Sequence, residues 1–321
     1  MAFKSFITYE RIQSQNPDTE EELAHDQFET RKLYGEIEEI KDPSEARFKQ
    51  FKNFDMLKSP PPNHWFADRR PTKPEIKREW EILKLFLPNS IYVRCYESRP
   101  DLMRAMIVGS ENTPYYRGLF IFDIQLPSNH PFQPPEIFYH SYGLDVNPNL
   151  NRSGKVNLHP LKRGNRCWFG YSNSKQFTIL GVLRSIGSLV LNDNPYLQEI
   201  HHLHITINKN NDNNNKNAFM RTCEVMLRIL KSPPRDFEDF VIGYFQTHAH
   251  YILLNYKTWM DTEEAMESLF FKLVRAFEKN GTYCQHHYNQ DSYYLALQEE
   301  KSRESSCFTS KVLNTVRTLY K

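Results

Sequence analysis

Four short runs with strand character, all within residues 91–139, constrain the fold of this chain more than any other feature. The runs are 91–96, 102–108, 118–126 and 136–139, and Leu119–Ile124 is the densest apolar segment of the chain. The turns between them are too short for helical crossovers, which need about a dozen residues or more. The pattern therefore predicts an antiparallel four-stranded meander with residues 119–124 in a central strand.

Helical periodicity flanks the meander on both sides. Residues 73–87 carry one apolar stripe at steps of three and four, and 177–191 shows the pattern of a buried helix. The same periodicity returns in 219–230, 236–259 and 263–279. The Asn-, Lys- and Asp-rich segment 208–217 cannot bury apolar surface and is predicted to be a mobile loop. The predicted class is α+β, with an N-terminal helix, the meander, an irregular segment and C-terminal helices.

Composition divides the chain into four parts. Residues 1–72 form an acidic N-terminal arm and a proline-rich linker, since residues 1–47 hold twelve acids against six bases and Ser59–Pro62 contains three prolines. Residues 73–235 form the core domain, 236–289 a helical extension, and 290–321 a Ser-rich flexible tail. We expect the linker to lie on the surface of the domain.

Charge and cysteine usage exclude several classes of protein. Lys and Arg number 41 against 39 Asp and Glu, so no basic excess points to nucleic acid. The five cysteines are dispersed without a CxxC pair, and His201–His204 lacks further ligands at metal-binding spacing, so we expect no metal. The first residues lack the apolar core of a signal peptide and no run is long enough to span a membrane. A cytoplasmic or nuclear protein is expected.

Four motifs occur in order along the core. His130–Pro135 is similar to a Tyr-Pro-Phe-x-Pro-Pro loop, Asn147–Asn149 to a His-Pro-Asn tripeptide, Gly154–Val156 to the turn after it, and Leu191–Pro195 to a segment closing the site. Together they resemble the ubiquitin-conjugating (UBC) enzyme family, and the resemblance implies a UBC-like fold. It covers about residues 48–260.

The flanking residues narrow the resemblance. Phe48–Phe51 before the domain and Phe237–Val241 after it are similar to the large, extended members of the family, namely the plant phosphate-regulator type and the hybrid conjugating enzyme–ligase type. In that branch Asn-Pro-Asn replaces His-Pro-Asn, so Asn147 fits the resemblance. The family transfers ubiquitin through a cysteine thioester to a substrate lysine and uses no cofactor.

With Asn149 placed on the asparagine of the family's tripeptide, the resemblance puts Asn157 at the position of the catalytic cysteine. A carboxamide is not a nucleophile under physiological conditions, whereas a thiolate is. The resemblance implies that Asn149 orders the loop and stabilises the oxyanion, although an asparagine in a loop can also simply hold a turn. Asp193 takes the place of the acidic gate residue, or it only ends the preceding helix.

A second cysteine could replace the missing nucleophile. Cys167 lies ten positions beyond Asn157, and Arg163 and Arg166 could lower the pKa of its thiol. An ordinary structural cysteine is the simpler interpretation. The sequence thus favours a catalytically inactive member of the ubiquitin pathway that acts by binding. The alternatives are an active conjugating enzyme using Cys167, and a chain without function.

The resemblance also implies partner surfaces. Phe132 occupies the anchor position for RING- or U-box-type ligases, with Pro134 and Pro135 stiffening its loop, unless Phe132 packs inward. The first helix presents a basic face of the kind that meets the ubiquitin-activating enzyme, although a solvated face explains it equally well; its members are Lys73, Lys77, Arg78 and Lys84. The expected partners are ubiquitin, the activating enzyme, and a ligase or another conjugating enzyme.

Overall fold

The computed structural model describes residues 47–156, 177–193, 211–260 and 264–287. Its elements in chain order are β1 (Phe54–Leu57), α1 (Lys77–Phe86), β2 (Ile91–Tyr96), β3 (Leu102–Val108), β4 (Leu119–Gln125), β5 (Glu136–Tyr139), α2 (Ile179–Ser185), α3 (Asn211–Lys231), α4 (Glu238–Trp259) and α5 (Glu264–Lys279). Short helical turns at Ile186–Val190, Arg235–Phe237 and Gln285–His287 connect or follow them. The predicted α+β class is confirmed.

The sheet has the order β1-β2-β3-β4-β5. Strands β2 to β5 form the predicted antiparallel meander, with Ile91 opposite Ile107 and Ala105 opposite Phe122. Every residue of β4 is buried, as expected of a central strand with both faces covered. The bounds of the four strands agree closely with the apolar runs in the sequence.

A fifth strand, β1, pairs parallel with β2 and was not predicted. Phe54 lies opposite Val93 and Leu57 opposite Tyr96. Four half-buried residues before a proline cluster carry too weak a local pattern to indicate a strand. The prediction of four strands is therefore corrected to five, because this strand depends on a long-range pairing rather than on alternation within its own sequence.

The helices show one agreement and one correction. Helix α2 begins where predicted, and its N-cap Thr178 accepts a hydrogen bond from the Gly181 N–H at 3.1 Å. The mobile loop expected at 208–217 was wrong from Asn211 onward, because α3 already begins there. Asparagine is a poor helix former, but the helix continues into a packed face that includes Ala218 and Phe219, and this packing offsets the low propensity.

One continuous apolar core connects the sheet with α1, α2, α3, α4 and α5. Residues that reach this core also come from the connections between elements, among them Tyr115 before β4 and Val190 after α2. These two residues flank the segment that follows β5. The core therefore fixes both sides of the irregular segment 141–156, which contains the Asn147–Asn149 motif.

Candidate functional site

Asn147 holds the motif loop through all of its side-chain hydrogen-bonding groups. Its Nδ2 donates to the Tyr115 hydroxyl at 2.8 Å and to the Val190 carbonyl at 3.0 Å. Its Oδ1 accepts from the backbone N–H groups of Asn149 and Leu150 at 2.9 and 3.0 Å. The side chain is buried, so these bonds are not exchanged with water. Asn147 therefore joins the motif loop to the chain that leads out of α2.

Asn149 has a buried amide without a partner. The residue is 2% exposed, and its Nδ2 makes no hydrogen bond to any described residue. The side chain that holds this turn is that of Asn147, which bonds the backbone two and three positions ahead. Leaving a buried donor unpaired costs about 1–3 kcal/mol. An amide kept in this state suits a donor that meets its acceptor only during a reaction or on binding, and that role for Asn149 stays a prediction.

The turn after the motif requires a glycine at position 154. Gly154 has a φ of +79°, and an added Cβ would lie 2.1 Å from the Phe138 ring. Its carbonyl accepts a hydrogen bond from Tyr139 N–H at 2.7 Å, which attaches the turn to β5. Two residues later Val156 pairs antiparallel with Leu150. The chain thus approaches position 157 from beside the motif loop.

Two of the predicted site residues lie outside the described part of the chain. Asn157 follows directly on Val156, and Cys167 lies within the same segment, 157–176. Their predicted roles, as the vacated thioester position and as an alternative nucleophile, therefore stay predictions. The His201–His204 run also falls outside the described residues.

Asp193 is exposed at the end of the segment that follows α2. Its backbone carbonyl accepts a hydrogen bond from Asn215 Nδ2 at 2.9 Å, so α3 fixes the main chain there. Three residues earlier, the Val190 carbonyl accepts a hydrogen bond from Asn147 Nδ2. The chain segment that carries Asp193 is therefore tied to the motif loop, and the residue is exposed. Its role as a gate residue stays a prediction.

Three of the five cysteines are unsuited to nucleophilic chemistry. Cys95 in β2, Cys223 in α3 and Cys284 after α5 are buried. Burial raises the pKa of all three thiols, for Cys284 to about 12, so each stays protonated near neutral pH. Among the described residues no cysteine is available for a thioester.

The predicted ligase loop exposes its aromatic anchor. Phe132 is 66% exposed, Pro134 is exposed, and Pro135 is buried at the entry to β5. The Pro131 carbonyl accepts a hydrogen bond from Phe177 N–H at 2.8 Å, which holds the loop against the chain that enters α2. Phe132 therefore does not pack inward, and the loop presents it from a fixed base.

Glu79 connects this loop to α1 and α2, a role that sequence reasoning missed. Its buried carboxylate accepts from Ile179 N–H at 2.8 Å, at the first turn of α2. The other carboxylate oxygen lies 3.2 Å from His130 Nε2, although the two are not aligned as a hydrogen bond. No local signal could have indicated this, because Glu79 and Ile179 are 100 positions apart.

The predicted basic face lies along and just before α1. Lys77, Arg78 and Lys84 on the helix and Lys73 before it are all exposed. Arg184 of α2 adds a further positive charge where its guanidinium donates to the Phe86 carbonyl at 2.9 Å. The described structure thus places these five cations along α1 and at its two ends, where the basic side chains of α1 are exposed to solvent.

The fold and the arrangement of the motif loop are those of a UBC domain. The family model described as ubiquitin-conjugating enzyme matches residues 75–226. An Arabidopsis thaliana protein provisionally named ubiquitin-conjugating enzyme E2 38 is 37% identical over 229 residues, which cover 67% of this chain and 69% of that protein. The chain belongs to the ubiquitin-conjugating enzyme family.

Two further relatives indicate the branch of the family. The probable ubiquitin-conjugating enzyme E2 23 of Arabidopsis thaliana is 39% identical over 225 residues, covering 66% of this chain but 20% of that protein. The human dual E2 ubiquitin-conjugating enzyme/E3 ubiquitin-protein ligase BIRC6 is 37% identical over 124 residues, 36% of this chain and 2% of that protein. The chain is thus a large UBC-family member, and it spans only a small part of some of its relatives.

Family membership associates this chain with the ubiquitin pathway, whose conjugating enzymes meet ubiquitin, an activating enzyme and a ligase. In the described residues no helix is both long and apolar enough to cross a membrane.

Proposed function

We propose that this chain is a UBC-family protein that forms no ubiquitin thioester and acts by binding ubiquitin, a ligase or an active conjugating enzyme. The observation that carries the proposal is Asn157 at the position of the catalytic cysteine. A thioester needs a thiolate to attack the activated carboxyl group, and a carboxamide nitrogen does not do so at physiological pH.

The buried cysteines support the proposal. Because Cys95, Cys223 and Cys284 are buried and protonated, any thioester on this chain would have to form at Cys167 or Cys307. Neither position matches the family's nucleophile. The buried amide of Asn149, the glycine turn at Gly154 and the exposed Phe132 support a protein that engages the same partners as a conjugating enzyme without the transfer step.

A charging assay tests the absence of thioester chemistry. The full chain is incubated with ubiquitin-activating enzyme, ATP and ubiquitin, and the products are separated on a non-reducing gel. We expect no ubiquitin adduct that a thiol reductant removes. Such an adduct would overturn the proposal, and the variants Cys167→Ala and Cys307→Ala would then show which thiol carries the ubiquitin.

The binding part of the proposal is tested at Phe132. A set of RING- and U-box-type domains is titrated with the full chain, and the substitution Phe132→Ala is expected to weaken binding about tenfold or more, because an exposed aromatic anchor contributes most of the energy of such a contact. Leu254→Ala is the matched control, since Leu254 is an exposed apolar residue (51%) on α4. Equal affinity of both variants would contradict this role for Phe132.

A further inference from the structure

Three histidines meet at the C-terminal end of the described chain. His250 lies on α4, and His286 and His287 lie on the short helical turn that follows α5. Their ligand-capable nitrogens are all within 4.8 Å of one another. His250 Nδ1 and His287 Nε2 are 3.0 Å apart, so these two rings share one proton in the absence of a ligand.

Hydrogen bonds hold the end of α5 against α4. Gln246 Nε2 on α4 donates to the Asn280 carbonyl at 2.8 Å, and Asn280 Nδ2 donates back to the Ile242 carbonyl at 2.9 Å. His287 N–H donates to the Cys284 carbonyl at 3.0 Å, which closes the turn. The turn begins five residues after Asn280, so these bonds limit how far its histidines can move away from His250.

The imidazoles can present lone pairs to a metal. His287 is buried, and His286 stands exposed beside it. A histidine with an ordinary pKa of about 6.5 is mostly neutral at pH 7 and keeps a lone pair for coordination. Lys257 opposes a cation, but its side chain is exposed and solvent screens its charge.

We propose that His250, His286 and His287 bind a zinc ion. Zinc is held by histidine nitrogens at about 2.0–2.1 Å in tetrahedral geometry, which separates neighbouring ligand nitrogens by roughly 3.3 Å. The 3.0 Å separation between His250 Nδ1 and His287 Nε2 is close to that value, and the third ring, within 4.8 Å, completes the set after a small inward movement. His286 is exposed, so solvent reaches the cluster and would supply a fourth ligand.

The chemistry of the donors selects the kind of metal. The group contains imidazole nitrogens alone, which suit zinc and its transition-metal neighbours and not calcium or magnesium. Cys284 is close in sequence, but its sulfur does not belong to the group of ligand atoms that lie within 4.8 Å of one another. The bound ion would link α4 to the turn after α5. This role does not depend on whether the chain forms a ubiquitin thioester.

No sequence pattern indicates this cluster, because His250 and His287 are 37 positions apart and no two of the three histidines lie at the spacing of a known motif. The proposal replaces the sequence-based expectation that the chain binds no metal.

Calorimetric titration with zinc chloride tests the site. The full chain is stripped with a chelator, desalted under reducing conditions and titrated, with cobalt(II) absorption as a second readout. We expect one equivalent to bind, with cobalt d–d bands but no thiolate-to-cobalt charge transfer. His286→Gln should weaken zinc binding at least about tenfold, since even outer-shell changes cost 10–100-fold. Its metal-free circular dichroism and Tm should be unchanged, because His286 is exposed.

The matched control is the double variant His202→Ala, His204→Ala, which removes two of the three histidines of the His201–His204 run and should keep full affinity. Three results would each overturn the proposal: no saturable binding, unchanged affinity in His286→Gln, or loss of binding in the control. His250→Gln provides a second ligand variant on a different element, and it should lose affinity to a similar extent.

Discussion

Asn149 and Asn157 together decide what this site can do. Asn149, within the motif loop, keeps a buried amide donor that no described residue pairs, whereas an asparagine at position 157 supplies no nucleophile. If only the nucleophile is missing, Asn157→Cys should regain weak ubiquitin charging in the presence of activating enzyme, because cysteine supplies the thiol, is smaller than asparagine and behaves as a small hydrophobe. A non-reducing gel measures it, and the parent chain should show none.

The Asn157→Cys variant also distinguishes two interpretations of Asn149, as an oxyanion donor or as a residue that only holds a turn. In the Asn157→Cys background, Asn149→Ala should slow transfer of ubiquitin to free lysine by about 10²–10³-fold, the usual effect of removing one oxyanion donor. If Asn157→Cys folds normally and binds activating enzyme but never charges, the site has decayed beyond its nucleophile. The catalytic interpretation of Asn149 would then be wrong.

Asn147 is the residue whose loss should unfold the motif loop. Asn147→Ala removes two donors and one acceptor and leaves the Val190 carbonyl buried without that amide. We expect a loss of about 1–3 kcal/mol in the free energy of unfolding, measured by urea denaturation. Asn151→Ala is the matched control, because the hydrogen bonds that Asn151 accepts from Ser153 are exposed, and it should change stability much less.

At the scale of elements, a buried ion pair joins β3 to β4 and to the segment before α1. Arg104 donates to both carboxylate oxygens of Asp123, at 2.6 and 2.9 Å, and both side chains are fully buried. Asp123 also accepts from Trp65 N–H at 2.7 Å and lies 2.8 Å from His140 Nε2. One of these hydrogen bonds goes to Oδ1 and three go to Oδ2, so the buried charge is both paired and hydrogen-bonded.

This network predicts a specific acid sensitivity. Burial alone would raise the pKa of Asp123, but hydrogen bonds from His140 and Arg104 outweigh it and hold the pKa well below its ordinary value. Because the folded state favours the ionised carboxylate, Asp123 stabilises the protein fully above the pKa of an unfolded aspartate, about 3.9. This stabilisation is lost as the pH falls from there toward the lower pKa of the folded state. Asp123→Asn should cost about 3–5 kcal/mol at pH 7 and flatten the decline in stability between about pH 5 and pH 2.

Urea denaturation across that pH range measures the effect. Asp145→Asn is the control, because Asp145 pairs with Arg152 at the exposed surface and should change stability little. An Asp123→Asn protein whose stability fell as steeply as that of the parent would show that other carboxylates cause the acid sensitivity.

At the scale of the whole molecule, residues 47–66 are part of the folded domain. Phe48 packs between Phe240 and the backbone of α4, where a Cβ on Gly243 would lie 2.3 Å from it. Farther along, β1 extends the sheet and Phe66 is buried at 2% exposure. The segment therefore covers the core in two places, at α4 and at the edge of the sheet, although it precedes residues 75–226, which the family model matches.

Removing this segment should destabilise the domain. A chain of residues 73–321 should unfold at a clearly lower temperature than a chain of residues 47–321, or fail to remain soluble, because each large side chain that leaves the core costs about 1.5–3 kcal/mol. Thermal unfolding followed by circular dichroism compares the two. Equal Tm values would show that the contacts of Phe48 and Phe66 contribute nothing to stability.

The sequence by itself determined the elements whose signal is local. Alternation and apolar density determined β2 to β5, and helical periodicity determined α5. The Asn147–Asn149 and Gly154–Val156 motifs indicated the family, and their spacing predicts that Asn157 stands where the family has its cysteine. These features depend on residues within a few positions of one another, so they are readable from the sequence.

Only the tertiary structure decided what distant residues do together. Three contacts join segments about 40 positions apart: the pairing of Phe54 with Val93, the hydrogen bond from the Asn147 amide to the Val190 carbonyl, and the contact between His250 and His287. No local pattern encodes such contacts. They form because burial in one core requires polar groups to find partners wherever the packed chain brings them.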